Sequence, residues 1–217
     1  MNRFARASLV IVAGAGLSLT TSPALAHDDD PDLPEGSGDW APMAEVDPAF
    51  YDPIDIQACG TTVTMSPGDE RDVETRQTNL PNGDLLIELR GAFTVDLTRH
   101  DTGQVIDELD ISGDTTELIS EEGTHIIGVY EGPSILFPFP ELGPVDEAAF
   151  EAAGIPDLAY FKKGVVSFDL VINPETGEAV SEEADVDARL HDLCTWFGDD
   201  KDWHHGHGYD HHGRNHS

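Results

Sequence analysis

Bases are scarce in this 217-residue chain: Lys and Arg total 11 against 43 Asp and Glu, and the formal charge is −32. Only three of the bases are lysines, Lys162, Lys163 and Lys201. A chain with so few bases has no cationic face to lay along phosphates, so nucleic acid is excluded as a partner. Docking on anionic lipid is excluded for the same reason. Cysteine is almost as sparse, with two residues, Cys59 and Cys194. No stretch after the N-terminal segment is apolar enough for a transmembrane helix. Aromatic residues make up 7% of the chain, yet 39% of it is hydrophobic, enough to bury a core. Length and composition suit a single domain with tails.

The first 26 residues read as a secretory signal peptide. Arg3 and Arg6 form a basic start, Ala7 to Leu19 is an uncharged, largely apolar run, and Ala24-Leu25-Ala26 is a small-x-small cleavage site. The expected location is therefore secreted or extracellular. In such an oxidising compartment Cys59 and Cys194 are expected to form one disulfide, the alternative being two buried thiols. Closing a loop from residue 59 to residue 194 stabilises a fold by about 5 kcal/mol on chain entropy alone.

Residues 27–53 form an acidic leader rich in Pro and Gly, from Asp28-Asp29-Asp30-Pro31-Asp32 through Pro34, Gly36, Gly38, Pro42, Pro48 and Pro53. That composition resists helix and sheet, which predicts a linker or a loosely docked arm with Trp40, Met43, Phe50 and Tyr51 available to touch the body. Asp28, Asp30 and Asp32 have the opening spacing of a calcium loop, but Leu33 stands where glycine is required.

Residues 54–197 are read as a single β-rich domain. Phe93, Val95 and Leu97 alternate with polar residues, as do Val166, Phe168, Leu170 and Ile172. Further strands are expected at 84–90, 105–111 and 124–130, with weaker ones at 59–65 and 73–78. Gly, Asn and Asp turns separate them. Roughly seven or eight such strands point to a mostly β fold, an antiparallel sandwich or barrel. Residues 132–144, with Pro133, Phe137, Pro138, Phe139 and Pro140, suit a covering loop or sheet edge. Val145–Ala153 reads as the one short helix, ended by Gly154, with Phe150 on its buried side. Residues 181–197 fit either a helix or a strand; a strand is favoured for the first half, where Val186, Ala188 and Leu190 alternate.

Asp52-Pro-Ile-Asp-Ile-Gln-Ala-Cys-Gly-Thr-Thr-Val-Thr64, together with Asp192-Leu193-Cys194, resembles small secreted proteins of high-GC Gram-positive bacteria. The resemblance spans residues 50–197. It implies export and a compact β-rich body with paired ends, and it brings no catalytic residue.

Chemistry-bearing patterns are few. Gly-x-Ser-x-Gly, His-Glu-x-x-His, a phosphate-binding glycine loop and Cys-x-x-Cys are all absent. The body holds His100, His125 and His191, whose spacing gives no reason for them to converge on a metal. The most specific feature is the tail, residues 198–217, expected to be disordered. It carries His204, His205, His207, His211, His212 and His216 among Asp and Gly. Neutral imidazoles suit Zn²⁺, Ni²⁺ and Cu²⁺, and nearby carboxylates orient them. If the leader begins at His27 after cleavage, its amine and imidazole form a copper-chelating brace, though Asp-Asp-Asp-Pro follows instead of a strand to anchor it.

Three readings emerge. The first is a monomeric secreted module without enzymatic activity that holds an unidentified ligand and needs no cofactor. The second is capture of a transition metal by the tail. The third is an enzyme, either copper-dependent through His27 or hydrolytic.

Overall fold

A computed structural model describes residues 33–198. The signal segment, His27, the Asp28/Asp30/Asp32 spacing and the six tail histidines lie outside the described residues.

The described chain is mostly antiparallel β. In order come β1 (Ala41–Pro42), α1 (Met43–Val46), β2 (Ile54–Ala58), β3 (Thr61–Asn79), β4 (Leu85–Arg99), β5 (Val105–Asp110) and β6 (Thr115–Ile119). Then follow β7 (His125–Glu131), β8 (Ser134–Leu136), α2 (Pro144–Ala153), β9 (Ala159–Phe161), β10 (Gly164–Ile172), β11 (Ala179–Ala188) and β12 (His191–Asp192). Nine strands form one sheet whose path runs β1-β3-β4-β6-β7-β10-β11, with β2 added to β3 and β5 to β4. The path ends at β1 and β11 without closing, so the fold is sandwich-like and not a closed barrel. Three further strands form a second sheet in the order β12-β9-β8.

Four of the expected strands prove to be halves of two longer ones. The strands expected at 59–65 and 73–78 are both parts of the 19-residue β3, which starts at Thr61, and those at 84–90 and 92–98 are parts of the 15-residue β4, which starts at Leu85. The hairpin register shifts between Pro67 and Arg71, a bulge that bends the pair. Gly91 opposes Val73 at φ 115°, where an added Cβ would lie 2.1 Å from the Asp72 carbonyl oxygen, so this crossing requires glycine. Beyond the bend β4 changes partner. Its Leu85–Leu89 half pairs with β6 and its Thr94–Thr98 half with β5.

Each half of the hairpin lies over its own core. Val63, Val95, Leu97, Leu109, Leu158 and Leu193 form the first, at the end tied by the Cys59–Cys194 disulfide. Ile87, Ile119, Ile126, Leu170 and Ile172 form the second. A third group, Leu136, Phe150, Ile155, Phe161 and Val166, seats α2 against β8, β9 and β10. The helix matches its expected span, with Gly154 left-handed at its C-cap and Phe150 5% exposed. Residues 181–188 are strand, as favoured, in register with β10; the continuation at Leu193–Thr195 is a single 3₁₀ turn.

Of the two readings of the leader, linker or docked arm, the docked arm is found, and it adds the short β1 and the single turn α1. From residue 33 onward it is docked, because the outer face of β3 and β4 offers it polar and aromatic partners. Thr78 Oγ1 accepts hydrogen bonds from the Ser37 and Gly38 amides at 3.1 and 3.2 Å. The Trp40 ring lies 4.7 Å from the Arg76 guanidinium and 3.9 Å from that of Arg90, and Met43 is only 1% exposed. Cation–π contact and apolar burial here outweigh the poor β and helix propensity of the segment.

Candidate functional site: an acid-lined cavity in the second core

The second half of the sheet places its inward residues in cross-strand rows. One row runs Ile87, Glu117, Gly128, Phe168, Ala184, and the next runs Leu85, Ile119, Ile126, Leu170, Glu182. Side chains alternate along each strand, so Glu117 and Glu182 share the phase of isoleucines and leucines and point to the interior. Between these rows, α2 and the loop of Phe137 and Phe139 lies a cavity of about 220 Å³. Its walls are mainly apolar and aromatic, with Phe93, Ile126, Phe137, Phe150, Phe168 and Leu170 among them. Gly128 leaves the room for one of the walls: a Cβ there would come within 2.9 Å of the Tyr130 ring.

Glu117, Tyr130, Asp146 and Glu182 are among the polar residues that line this space. Glu117 is 6% exposed, and the Tyr130 hydroxyl donates to its Oε1 at 3.2 Å. Burial pushes the Glu117 carboxyl up to about 7, against the weaker opposing effect of that hydrogen bond. The Tyr130 phenol is raised well above its usual range by burial and by the acids around it, Glu117, Glu182 and Asp146. Its ring packs edge-on against Phe168, which stacks on Phe150. Asp146, in the first turn of α2, is 1% exposed and accepts a hydrogen bond from the Phe139 amide. Burial raises its carboxyl, opposed by hydrogen bonds from Glu182 and the Phe139 amide. Glu182 is pushed up to about 8 by burial first, then by the charge of Asp146 beside it. The direction for this pair is clear: two carboxyls in apolar surroundings hold a proton between them near neutral pH, because both cannot ionise there.

The residues singled out from sequence fall elsewhere. Cys59 and Cys194 are bonded to each other, as expected. His204, His205, His207, His211, His212 and His216 are outside the described residues, as is His27. The body histidines do not meet. His100 Nε2 lies 2.7 Å from Thr64 Oγ1, His125 Nε2 lies 2.7 Å from Asp169 Oδ1, and the His191 ring lies against Trp196. Among the described residues, one acidic group has ligand atoms within 4.8 Å of one another: Asp96, Asp107 and Glu108 on β4 and β5. The Glu108 carboxylate already accepts from the Asp69 amide and the Thr94 hydroxyl, and Asp96 Oδ1 accepts from the Glu108 amide.

Glu117, Asp146 and Glu182 were hidden in sequence by the general abundance of acid. The legible signal was phase. Glu182 sits two positions before Ala184 and four before Val186, on the apolar face of β11. Glu117 sits two before Ile119, but β6 is five residues long with two threonines, too short and polar to read as a strand. Asp146 reads as an ordinary acid at a helix start.

Comparison of the chain with protein-family models, with curated proteins and with solved structures finds no match in any of the three.

Proposed function

We propose that this protein is an exported ligand-binding module whose β body holds a small, largely apolar molecule in the cavity of its second core. The cavity itself carries the reading: apolar walls that converge on a few polar groups are the usual form of a small-molecule site. At about 220 Å³ it exceeds the roughly 150 Å³ apolar void that suffices to take up benzene. The sequence pattern of residues 1–26 and the Cys59–Cys194 bond support export, and the absence of any catalytic motif in the sequence favours binding over turnover.

Toluene and benzyl alcohol, offered to the full-length protein, test the reading. Each should raise the melting temperature in a concentration-dependent way, because a ligand that binds only the folded state stabilises it by mass action. Thr115→Phe, which fills the cavity wall, should suppress the rise while circular dichroism stays unchanged. No shift with either probe overturns the reading. Mass spectrometry of the secreted protein checks export separately; cleavage after Ala26 gives His27 as the first residue.

A second reading rests on the tail. Six histidines between residues 204 and 216 offer several chelating pairs to Zn²⁺, Ni²⁺ or Cu²⁺. Calorimetric titration of Zn²⁺ and Cu²⁺ into the full chain and into a chain ending at Gly198 discriminates. Loss of all metal binding on truncation assigns it to the tail; equal binding refutes that assignment.

A further inference from the structure

The cavity's polar wall carries one sign of charge. Glu117 enters from β6, Asp146 from α2 and Glu182 from β11, with the Tyr130 hydroxyl from β7 among them. Glu147, the next residue of α2, adds to the negative potential at Asp146. Arg90 of β4 is the one basic residue along the lining, and its guanidinium is engaged on the outer face. There it stacks 3.9 Å from the Trp40 ring centroid and pairs with Glu74 at 2.9 Å. Glu182 Oε2 is buried with no hydrogen-bond donor beside it. Buried carboxyls with no cationic partner are costly, and a fold that keeps several around a void is complementary to something that brings the positive charge.

Resting on the cavity reading above, we propose that the ligand is a small organic cation. Its ammonium group sits among Glu117, Glu182 and Asp146, and its apolar body lies against the Phe and Ile walls. Two features favour this charge over a neutral or anionic ligand. An ammonium group donates up to three hydrogen bonds, and Glu182 Oε2 lacks a donor. The net charge of −32 draws cations toward the molecule from solution. An anion would meet three acids in a low-dielectric space. Charge balance also demands a counter-movement: Glu117 and Glu182, pushed up to about 7 and about 8, share protons near neutral pH, so the arriving ammonium displaces a proton to solvent.

Benzylamine, benzyl alcohol and toluene form a matched set of one ring with a cationic, a neutral polar and an apolar end. Isothermal titration of the full-length protein at pH 7 should give benzylamine about ten-fold tighter binding than benzyl alcohol, as charge-assisted hydrogen bonds require. Its heat should depend on the ionisation enthalpy of the buffer, because a proton is released, and the heat of benzyl alcohol should not. Affinity for the amine should fall from pH 8 to pH 6, where the carboxyls hold their protons more firmly. Glu182→Gln and Glu117→Gln should each remove most of the preference while benzyl alcohol still binds. Equal affinity for amine and alcohol, or amine binding without proton release, overturns the cationic ligand and leaves the cavity reading standing. Failure of all three probes overturns the cavity reading itself. The wild-type titration decides the matter even if a Gln variant fails to fold.

Discussion

The two ends of the β3–β4 hairpin follow one rule and reach different results. At the disulfide end Val63, Val95 and Leu97 of the central strands pack inward and are no more than 1% exposed. At the other end the same inward phase contains Glu117, Gly128 and Glu182, and these residues line a partly open cavity. One region is packed for stability, while the other departs from packing at the residues that make a site. Local violations of an otherwise consistent pattern mark function more sharply than the abundance of any residue type.

Opening the packed end should have the largest effect. Replacing Cys59 and Cys194 by Ala releases a bond with a sequence separation of 135, and should cost about 5 kcal/mol by loop entropy. Chemical denaturation under oxidising conditions measures it; a loss below about 1 kcal/mol would show that the first core holds these ends without the bond.

A pair of truncations then sharpens the contrast. Leu97→Ala removes a side chain that is 0% exposed in the packed core, and should cost about 4 kcal/mol. Leu170→Ala, on the cavity wall, already lacks part of its surroundings and should cost nearer 2 kcal/mol. Equal costs, read from urea midpoints, would mean that the second core is as well filled as the first.

Glu117→Gln is set apart from these by a pH signature. The Glu117 carboxyl moves from its ordinary 4.5 to about 7, so the folded state holds the proton more tightly than the unfolded chain. Its contribution is therefore fully present below pH 4.5 and is lost as pH rises through 7, a change of roughly 3 kcal/mol. Between pH 5 and pH 8 the wild type should lose stability relative to the Gln variant. Parallel curves for the two proteins would remove Glu117 from the buried set.

Much of the fold could be read ahead of the structure, for a physical reason. Val166, Phe168, Leu170 and Ile172 alternate over a nine-residue strand, and period two survives wherever one face is buried. Helix α2 announced itself through its early acids and the left-handed Gly154 that stops it. The two-residue strands β1 and β12 were illegible because no period fits in so short a run. A docked leader was one of two readings; its partners were illegible because Trp40 is held by Arg76 and Arg90, residues remote in sequence. The candidate site was legible only in part. Glu182 betrays itself by phase with Ala184 and Val186, whereas joining it to Asp146 and Glu117 requires the sheet order and the seat of α2.

Among the described residues strand β11 ends the sheet path with no strand on its outer side, and this shapes how the molecule behaves in a crowd. Its outward residues Glu183, Asp185 and Asp187 are exposed in alternation along that rim. Two copies approaching rim to rim would set three carboxylates against three, so extending the sheet from one molecule into the next is opposed by repulsion. The same acid excess that disguises the interior carboxyls thus acts outside as a guard against fibrous association, one that added salt would weaken.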